Sequence, residues 1–432
     1  MAKVFNGNRA TLKLVFIGFL SLSMLIPLGM VYSIITDRQM MQSSARQTIA
    51  SRWGGAQTVG GLVALSQSEK VVTSDRRQAK QLVWHANVMP GLSMVARMKT
   101  EKRYLGIYEI PVYTTLIKIS GEIDRARLSK EQAQGDLIFW LPLCDVRGVR
   151  EVSALKLGSL EIPARPLEAG NGSSTGLQFT LPAADREKAG NHYELEIKLA
   201  GSDSLMFLPL ADTTQVTIDS SWPHPEFVGQ FLPIEHRISD TGVKANWQML
   251  GLNRPYPGRW ELDQLTLQQM NVAAFGMRLE TPVDVYQQSE RSVKYGFLFI
   301  ALTFLVMFLF EVMTGRPVHP VPYVLTGAAL AVFYLVLLAL SEYLSFALAF
   351  MLAAGLLLII ITPYASAVLG GKKQGLLLGG MLLLTYLLLY ILVSAQHAAL
   401  LLGSCSLLVA IAALMFLTRG VDWYGYGESE QG

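Results

Sequence analysis

Apolar and polar positions along the chain fall into two regimes. The first stretch, from about Leu14 to Ile35, is apolar for about 22 residues and follows the basic residues Lys3, Arg9 and Lys13. A long polar stretch comes next. Five more apolar runs then follow in quick succession, near 295–313, 321–341, 344–369, 375–394 and 398–417. A helix rises about 1.5 Å per residue, so roughly 20 apolar residues cross a hydrocarbon core of about 30 Å. Six spans are predicted on that arithmetic. The fourth run is longer than needed and carries Pro363 near its end, which favours tilt or projection from the bilayer.

The first run is too long for a cleaved signal peptide, whose apolar core is about 7–15 residues, and no A-x-A site closes it. It reads as an uncleaved signal anchor. The polar stretch after it starts with Asp37 to about Gln57, which reads as a helix continuing from the span. From Tyr104 the pattern changes to alternation, with Ile107, Tyr108, Ile110, Val112, Tyr113, Leu116 and Ile119 set among Thr, Lys and Ser up to about Asp124. Short strands are predicted at Leu137–Leu141, Ala154–Leu160, Leu177–Leu181, Tyr193–Leu199, Val216–Ile218, Val243–Gln248 and Ala274–Glu280, each bounded by turn residues. The segment 250–260 reads as a loop. Many short strands between turn signals point to an antiparallel sandwich or barrel.

The expected architecture is therefore an integral membrane protein with six transmembrane α-helices and a large β-rich, sandwich-like domain between the first and second. Its parts are a 1–13 tail, a 14–35 anchor, a 36–294 β-rich domain, a 295–418 five-helix block and a 419–432 tail.

Charge sharpens this picture. Of 432 residues, 51% are hydrophobic and 16% charged, against about 25% charged in a soluble domain. Residues 295–418 hold only five charges: Glu311, Arg316, Glu342, Lys372 and Lys373. The formal net charge of +3 is too balanced for a nucleic-acid binder. Short loops on the cytoplasmic side carry the excess of Lys and Arg. With a cytoplasmic N-terminus, Lys3, Arg9, Lys13, Arg316, Lys372, Lys373 and Arg419 share that side, while the opposite loops at Glu342 and His397 carry no Lys or Arg. The C-terminus is then cytoplasmic too, and residues 36–294 are expected outside the cytoplasmic membrane, which is the periplasm if the organism is Gram-negative. Tyr295, Tyr323, Tyr343, Trp423 and Tyr424, with Arg316, Lys372, Lys373 and Arg419, are expected to anchor the interfaces.

Chemistry is sparse. There is no HExxH, CxxC, GxSxG or complete phosphate loop among the residues, so no catalytic, cofactor or metal site is predicted. Cys144 and Cys405 fall in different compartments and cannot pair, and Cys144 is expected to be a buried small hydrophobe. Glu311 and Glu342 are the polar residues of the spans, and an ionisable residue there raises a functional hypothesis by default. Both lie near span ends, which favours interfacial or helix-pairing roles over ion coupling. Gly327, Ala328, Ala331, Gly379 and Gly380 offer small surfaces for helix packing. In the β-rich part, Trp222-Pro223-His224-Pro225 with Phe227 is either a rigid contact loop or a corner whose Trp packs inward.

Several strings resemble one family. Ser221-Trp222-Pro223-His224-Pro225-Glu226-Phe227 with Phe231-Leu232-Pro233, and Thr281-Pro282-Val283-Asp284-Val285-Tyr286-Gln287, are similar to signatures of the CreD inner-membrane proteins. So are Arg103 to Tyr113, Leu309-Phe310-Glu311, His319-Pro320, Ser341-Glu342 and Asp422-Trp423-Tyr424. Gly60-Gly61, Pro322 and Tyr343 depart from the pattern. The resemblance implies a non-enzymatic protein of cell envelope integrity and stress response, under two-component control and associated with colicin tolerance and β-lactam response. Its implied surroundings are the lipid bilayer and an envelope protein, lipid or cell-wall partner. The alternative expectation is a small-solute or ion transporter or channel built on the C-terminal helices.

Overall fold

The fold is described from a computed structural model, for residues 8–74, 77–124, 135–167, 175–281, 284–314, 318–395 and 399–418. The chain divides into two compact units, Ser43–Pro282 and Met1–Gln42 with Val283–Gly432.

The helical unit is built from the apolar runs. Five helices among the described residues are long and apolar enough to cross a membrane: Leu12–Trp53, Val285–Val312, Pro320–Ser341, Phe346–Val368 and Lys372–Ser394. The sixth expected run is also helical, over Ala399–Thr418, but several of its side chains lie outside the described residues. Six expected spans thus become five that meet the criterion. The first long helix is interrupted at Met24, between Asn8–Ser23 and Leu25–Trp53. Pro27 is the cause, since it has no N–H to return to the Ser23 carbonyl. Helix Pro320–Ser341 starts at His319, whose Nδ1 accepts the Val321 N–H at 3.3 Å, with prolines in the first turn where a missing N–H costs nothing.

Helix packing in this unit is aromatic. Phe333 meets Tyr386 at a centroid distance of 4.5 Å, Phe350 at 5.5 Å and Tyr334 at 5.0 Å, all edge-on. Small residues let backbones approach. A Cβ on Gly379 would overlap Thr362, and one on Gly375 would overlap Ser366. Gly327 fits against Phe304 and Met24. Ala328 and Gly380, expected on the same packing surfaces, instead point away: Ala328 is exposed, and a Cβ on Gly380 would meet no other part of the protein within 4 Å.

In the β unit the organising element is one strand, Arg77–Leu105, 29 residues long. Its first half pairs antiparallel with Val63–Ser74 and its second half with Tyr108–Glu122, through a turn at Gly106, whose φ of +62° suits glycine. Tyr108–Glu122 then pairs with Ala189–Ser202. There Tyr193, Leu195, Ile197 and Leu199 are buried while Glu194 and Glu196 are exposed, the alternation of a sheet with one solvated face. Among the described residues the strands form a 14-stranded sheet and a four-stranded one, the latter from Gln57–Val59, Ser204–Phe207, Phe275–Leu279 and Pro225–Gly229.

Residues of both sheets share one core. Val59, Phe207, Phe275 and Met277 from the small sheet cluster with Met94, Tyr113, Ile117, Val216 and Trp247 from the large one. Two pairings depart from the antiparallel expectation. Gln57–Val59 runs parallel to Ser204–Phe207, and Ala211–Ser220 parallel to Arg77–Leu105. Parallel neighbours need long connections, and here more than a hundred residues separate the members of each pair.

Candidate functional site

Two groups of residues carry the functional expectations, one in each unit. The first is the Trp-Pro-His-Pro corner. It follows strand Ala211–Ser220 of the large sheet and leads into Pro225–Gly229 of the small one. Trp222 is 8% exposed, its Nε1–H donates to the Glu280 carbonyl at 3.0 Å, and its own backbone N–H donates to Ser220 Oγ at 3.2 Å. The Trp therefore packs inward. It joins the main core cluster, with the His224 ring edge-on at 6.5 Å. Phe227 is half-buried, against Trp247 at 5.7 Å and His236 at 5.2 Å. What the corner shows to solvent is His224 and Glu226, with Pro223 before them and Pro225 between them half-buried. Glu226 is held by Arg278 Nη1 at 2.9 Å, and Arg278 also faces Asp203 at 3.8 Å. The corner is a rigid mount with a polar outer surface.

The second group is ionic and lies in the helical unit. Glu311, expected in an interfacial or helix-pairing role, has a side chain only 2% exposed that forms an ion pair with Lys13 of the N-terminal helix. Its other oxygen accepts the Tyr323 hydroxyl at 3.0 Å, and Lys13 Nζ also donates to the Val318 carbonyl at 2.7 Å. Tyr323, expected at the interface, is fully buried instead because its hydroxyl serves Glu311. Glu342 closes helix Pro320–Ser341 and pairs with Arg38 Nε at 3.2 Å, with the Tyr286 hydroxyl at 3.4 Å. A third acid, Glu290, receives Tyr32 Oη at 3.4 Å, Gln39 Nε2 at 3.2 Å and Lys294 Nζ at 2.7 Å.

Lys13, Tyr32, Arg38 and Gln39 all belong to the N-terminal helices, and every acid they meet belongs to the C-terminal block. The first helix is thus fastened at both ends. Lys13 and Arg38 are 25 positions apart, about 37 Å of helix at the ideal rise, which is the reach of one membrane crossing. Sequence reasoning found Glu311 and Glu342 but neither Glu290 nor the bases that meet these acids. The signal was available, since each flank of the anchor carries one long cationic side chain able to reach back along the span.

The remaining expectations are placed as follows. Tyr295 is half-buried in helix Val285–Thr314, and Lys372 and Lys373 are exposed at the start of Lys372–Ser394. Arg316, Arg419, Trp423 and Tyr424 lie outside the described residues. Cys144 is exposed rather than buried: it lies just past the end of the strand Leu137–Pro142, and its Sγ lies 3.5 Å from Asn271 Nδ2. Among the described residues no three His, Cys, Asp or Glu side chains gather as metal ligands.

Comparison with known proteins agrees with this architecture. The family model "Inner membrane protein CreD" matches residues 9–424. The inner membrane protein CreD of Escherichia coli (strain K12) is 31% identical over 413 residues, covering 94% of this chain and 92% of that one. Fastened anchor helix, β-rich insertion and C-terminal helical block all fall within the matched span, and the chain belongs to the CreD family of inner membrane proteins.

Proposed function

We propose that this protein is a non-enzymatic component of cell envelope integrity and stress response, whose β unit lies in the periplasm and binds an envelope component. Both termini are cytoplasmic in this reading, following the seven Lys and Arg of the short loops on that side. The observation that carries the proposal is the engagement of both intramembrane acids. Glu311 and Glu342 are held by Lys13 and Arg38 of the anchor helix. Ion-coupled transport calls for polar groups near the midplane on broken helices. The facing centres here are Phe333, Phe350 and Tyr386 instead. Such a body suits holding a domain more than moving a solute. The contact surface proposed is the outer side of the Trp222 corner, where His224 and Glu226 stand on a mount that loses little freedom on binding.

Photo-crosslinking in intact cells tests this. A crosslinker at His224 or Glu226 is expected to capture a defined envelope molecule, and one at exposed Lys156 is not. Equal capture at all three positions, or at none, would reject the contact surface. Purified protein in liposomes tests the transporter alternative: solute flux abolished by Glu311→Gln or Glu342→Gln would favour it over the holding role.

A further inference from the structure

Strand Glu235–Ser239 lies at the margin of the large sheet and pairs on one side only, with Gly242–Leu250. The pairing sets His236 beside Ala245, Arg237 beside Lys244 and Ile238 beside Val243. Val243, Ala245 and Trp247 are core residues, so His236 and Ile238 share the core-side face. Ile238 on that face is 48% exposed, and Ile234 and Leu232, just before the strand, are 66% and 72% exposed. On the other face Arg237 stands opposite Lys244, a like-charge pair that weakens the sheet. Among the described residues no ion pair involves Glu235 or Arg237.

The backbone is also open. The two-residue turn Asp240–Thr241 closes on the pair Ser239 and Gly242, and hydrogen-bonded pairs alternate along an antiparallel ladder. Arg237 and Ser239 therefore turn their N–H and C=O inward, while His236 and Ile238 present theirs to the free edge. Ile234 turns its N–H inward to the Asn246 carbonyl at 2.8 Å, so the open ladder begins at Glu235.

We infer that this edge pairs with the same edge of a second copy of the chain, antiparallel about a two-fold axis at His236. His236 then faces its own counterpart through outward backbone groups on both sides. Glu235 of each copy lies opposite Arg237 of the other, twice over by symmetry. The paired stretch runs from Glu235 to Arg237 of each copy, and Ile238 flanks it, covering apolar surface that each copy alone leaves open. The register is selective. A slip of one residue sets inward backbone groups against outward ones. Centring on Ile238 keeps the backbone matched but leaves Arg237 opposite Ser239. Centring on Arg237 brings like charges together. An unpaired apolar edge is a template for strand addition, and this sequence is complementary to itself.

Disulfide trapping in membranes tests the pairing, using the full chain with Cys144→Ser, Cys405→Ser and His236→Cys. Cα atoms of a hydrogen-bonded antiparallel pair lie about 5.5 Å apart, inside the range a disulfide spans. A mild oxidant is expected to link most of the protein as a dimer. Lys244→Cys, one strand inward, is expected to link about tenfold less. Glu235→Arg or Arg237→Glu in the His236→Cys chain should each lower linkage about tenfold, and the two together should restore it. Light scattering on the chain with its native His236 in detergent should give twice the monomer protein mass, and half that value for Glu235→Arg. Equal linkage at 236 and 244, no rescue by the double reversal, a monomeric mass, or linkage of His236→Cys to a different protein would each overturn the proposal.

Discussion

Lys13 and Glu311 are worth most to each other, and least alone. A buried ion pair gains little over an apolar pair of similar volume, but removing one partner strands the other, at a cost of about 3–5 kcal/mol. Glu311→Ala is therefore expected to destabilise the helical unit by about that amount, while Glu311→Leu with Lys13→Met recovers most of the loss. Unfolding in mixed micelles of increasing SDS fraction measures both. Trp222 poses the same question in the β unit. Its burial and its bond to Glu280 make Trp222→Ala a loss of about 3–5 kcal/mol, read as a lowered urea midpoint. Trp222→Phe, which keeps the ring and loses the donor, should cost less. Asp145 gives a pH-dependent case. Hydrogen bonding from the Arg147 guanidinium, helped by the N–H groups of Gly55 and Arg147, holds its carboxyl below the usual carboxylate range, although partial burial opposes this. A carboxyl lowered by folding stabilises fully above its unfolded value near 3.9, and that contribution vanishes as pH falls through the folded value. Asp145→Asn is thus expected to cost about 1 kcal/mol at pH 7 and to converge with the unaltered chain towards pH 2.

Helices Phe346–Val368 and Lys372–Ser394 are held close by glycines on one side only. Gly379→Leu drives a side chain into Thr362 and is expected to abolish folded protein, whereas Gly380→Leu points into open space and should leave the yield intact. Membrane-fraction yield of the two variants decides whether this helix pair packs as described. The contrast between adjacent glycines was invisible in the sequence, where both look equally suited to packing. Elements were legible where one period ruled. Apolar runs gave the helices, and Leu195, Ile197 and Leu199 alternating with Glu194, Glu196 and Lys198 gave a half-buried strand. The strand Arg77–Leu105 was missed because Pro90-Gly91 interrupts it, and that pair ordinarily ends a strand. Pro90 stands where the strand changes partners: Val88 is the last residue to pair with Val63–Ser74, and Gly91 the first to pair with Tyr108–Glu122. On the other side Ala211–Ser220 pairs with Met89 and then with Gly91, passing over Pro90 as well. Tyr323 was misplaced for a different reason. An amphipathic ring near a span end suits headgroups or a buried acid equally, and only the position of Glu311 separates the two.

Across the whole molecule, two bodies are stabilised by different solvents, and that has a measurable consequence. The β unit holds its own core, from Val59 and Tyr113 to Trp247 and Phe275, and its stability comes from removing apolar surface from water. Urea weakens that effect in proportion to the surface exposed on unfolding. The helical unit keeps its apolar side chains out of water whether or not the helices pack, so urea has little leverage on it. The two units should therefore unfold in separate transitions, and a single unfolding free energy would not describe the chain. The sequence supplies the reporters. Of seven tryptophans, Trp53, Trp84, Trp140, Trp222, Trp247 and Trp260 belong to the β unit and only Trp423 to the other. Tryptophan emission in detergent is expected to shift red in one cooperative urea transition while most far-UV helical signal persists. Trp222→Ala should move that transition and leave the helical signal in place; Glu311→Ala should weaken the helical unit towards SDS without moving the urea midpoint. Coincident loss of emission and helicity in urea would show that the two bodies fold as one, and that the anchor helix carries stability across the unit boundary.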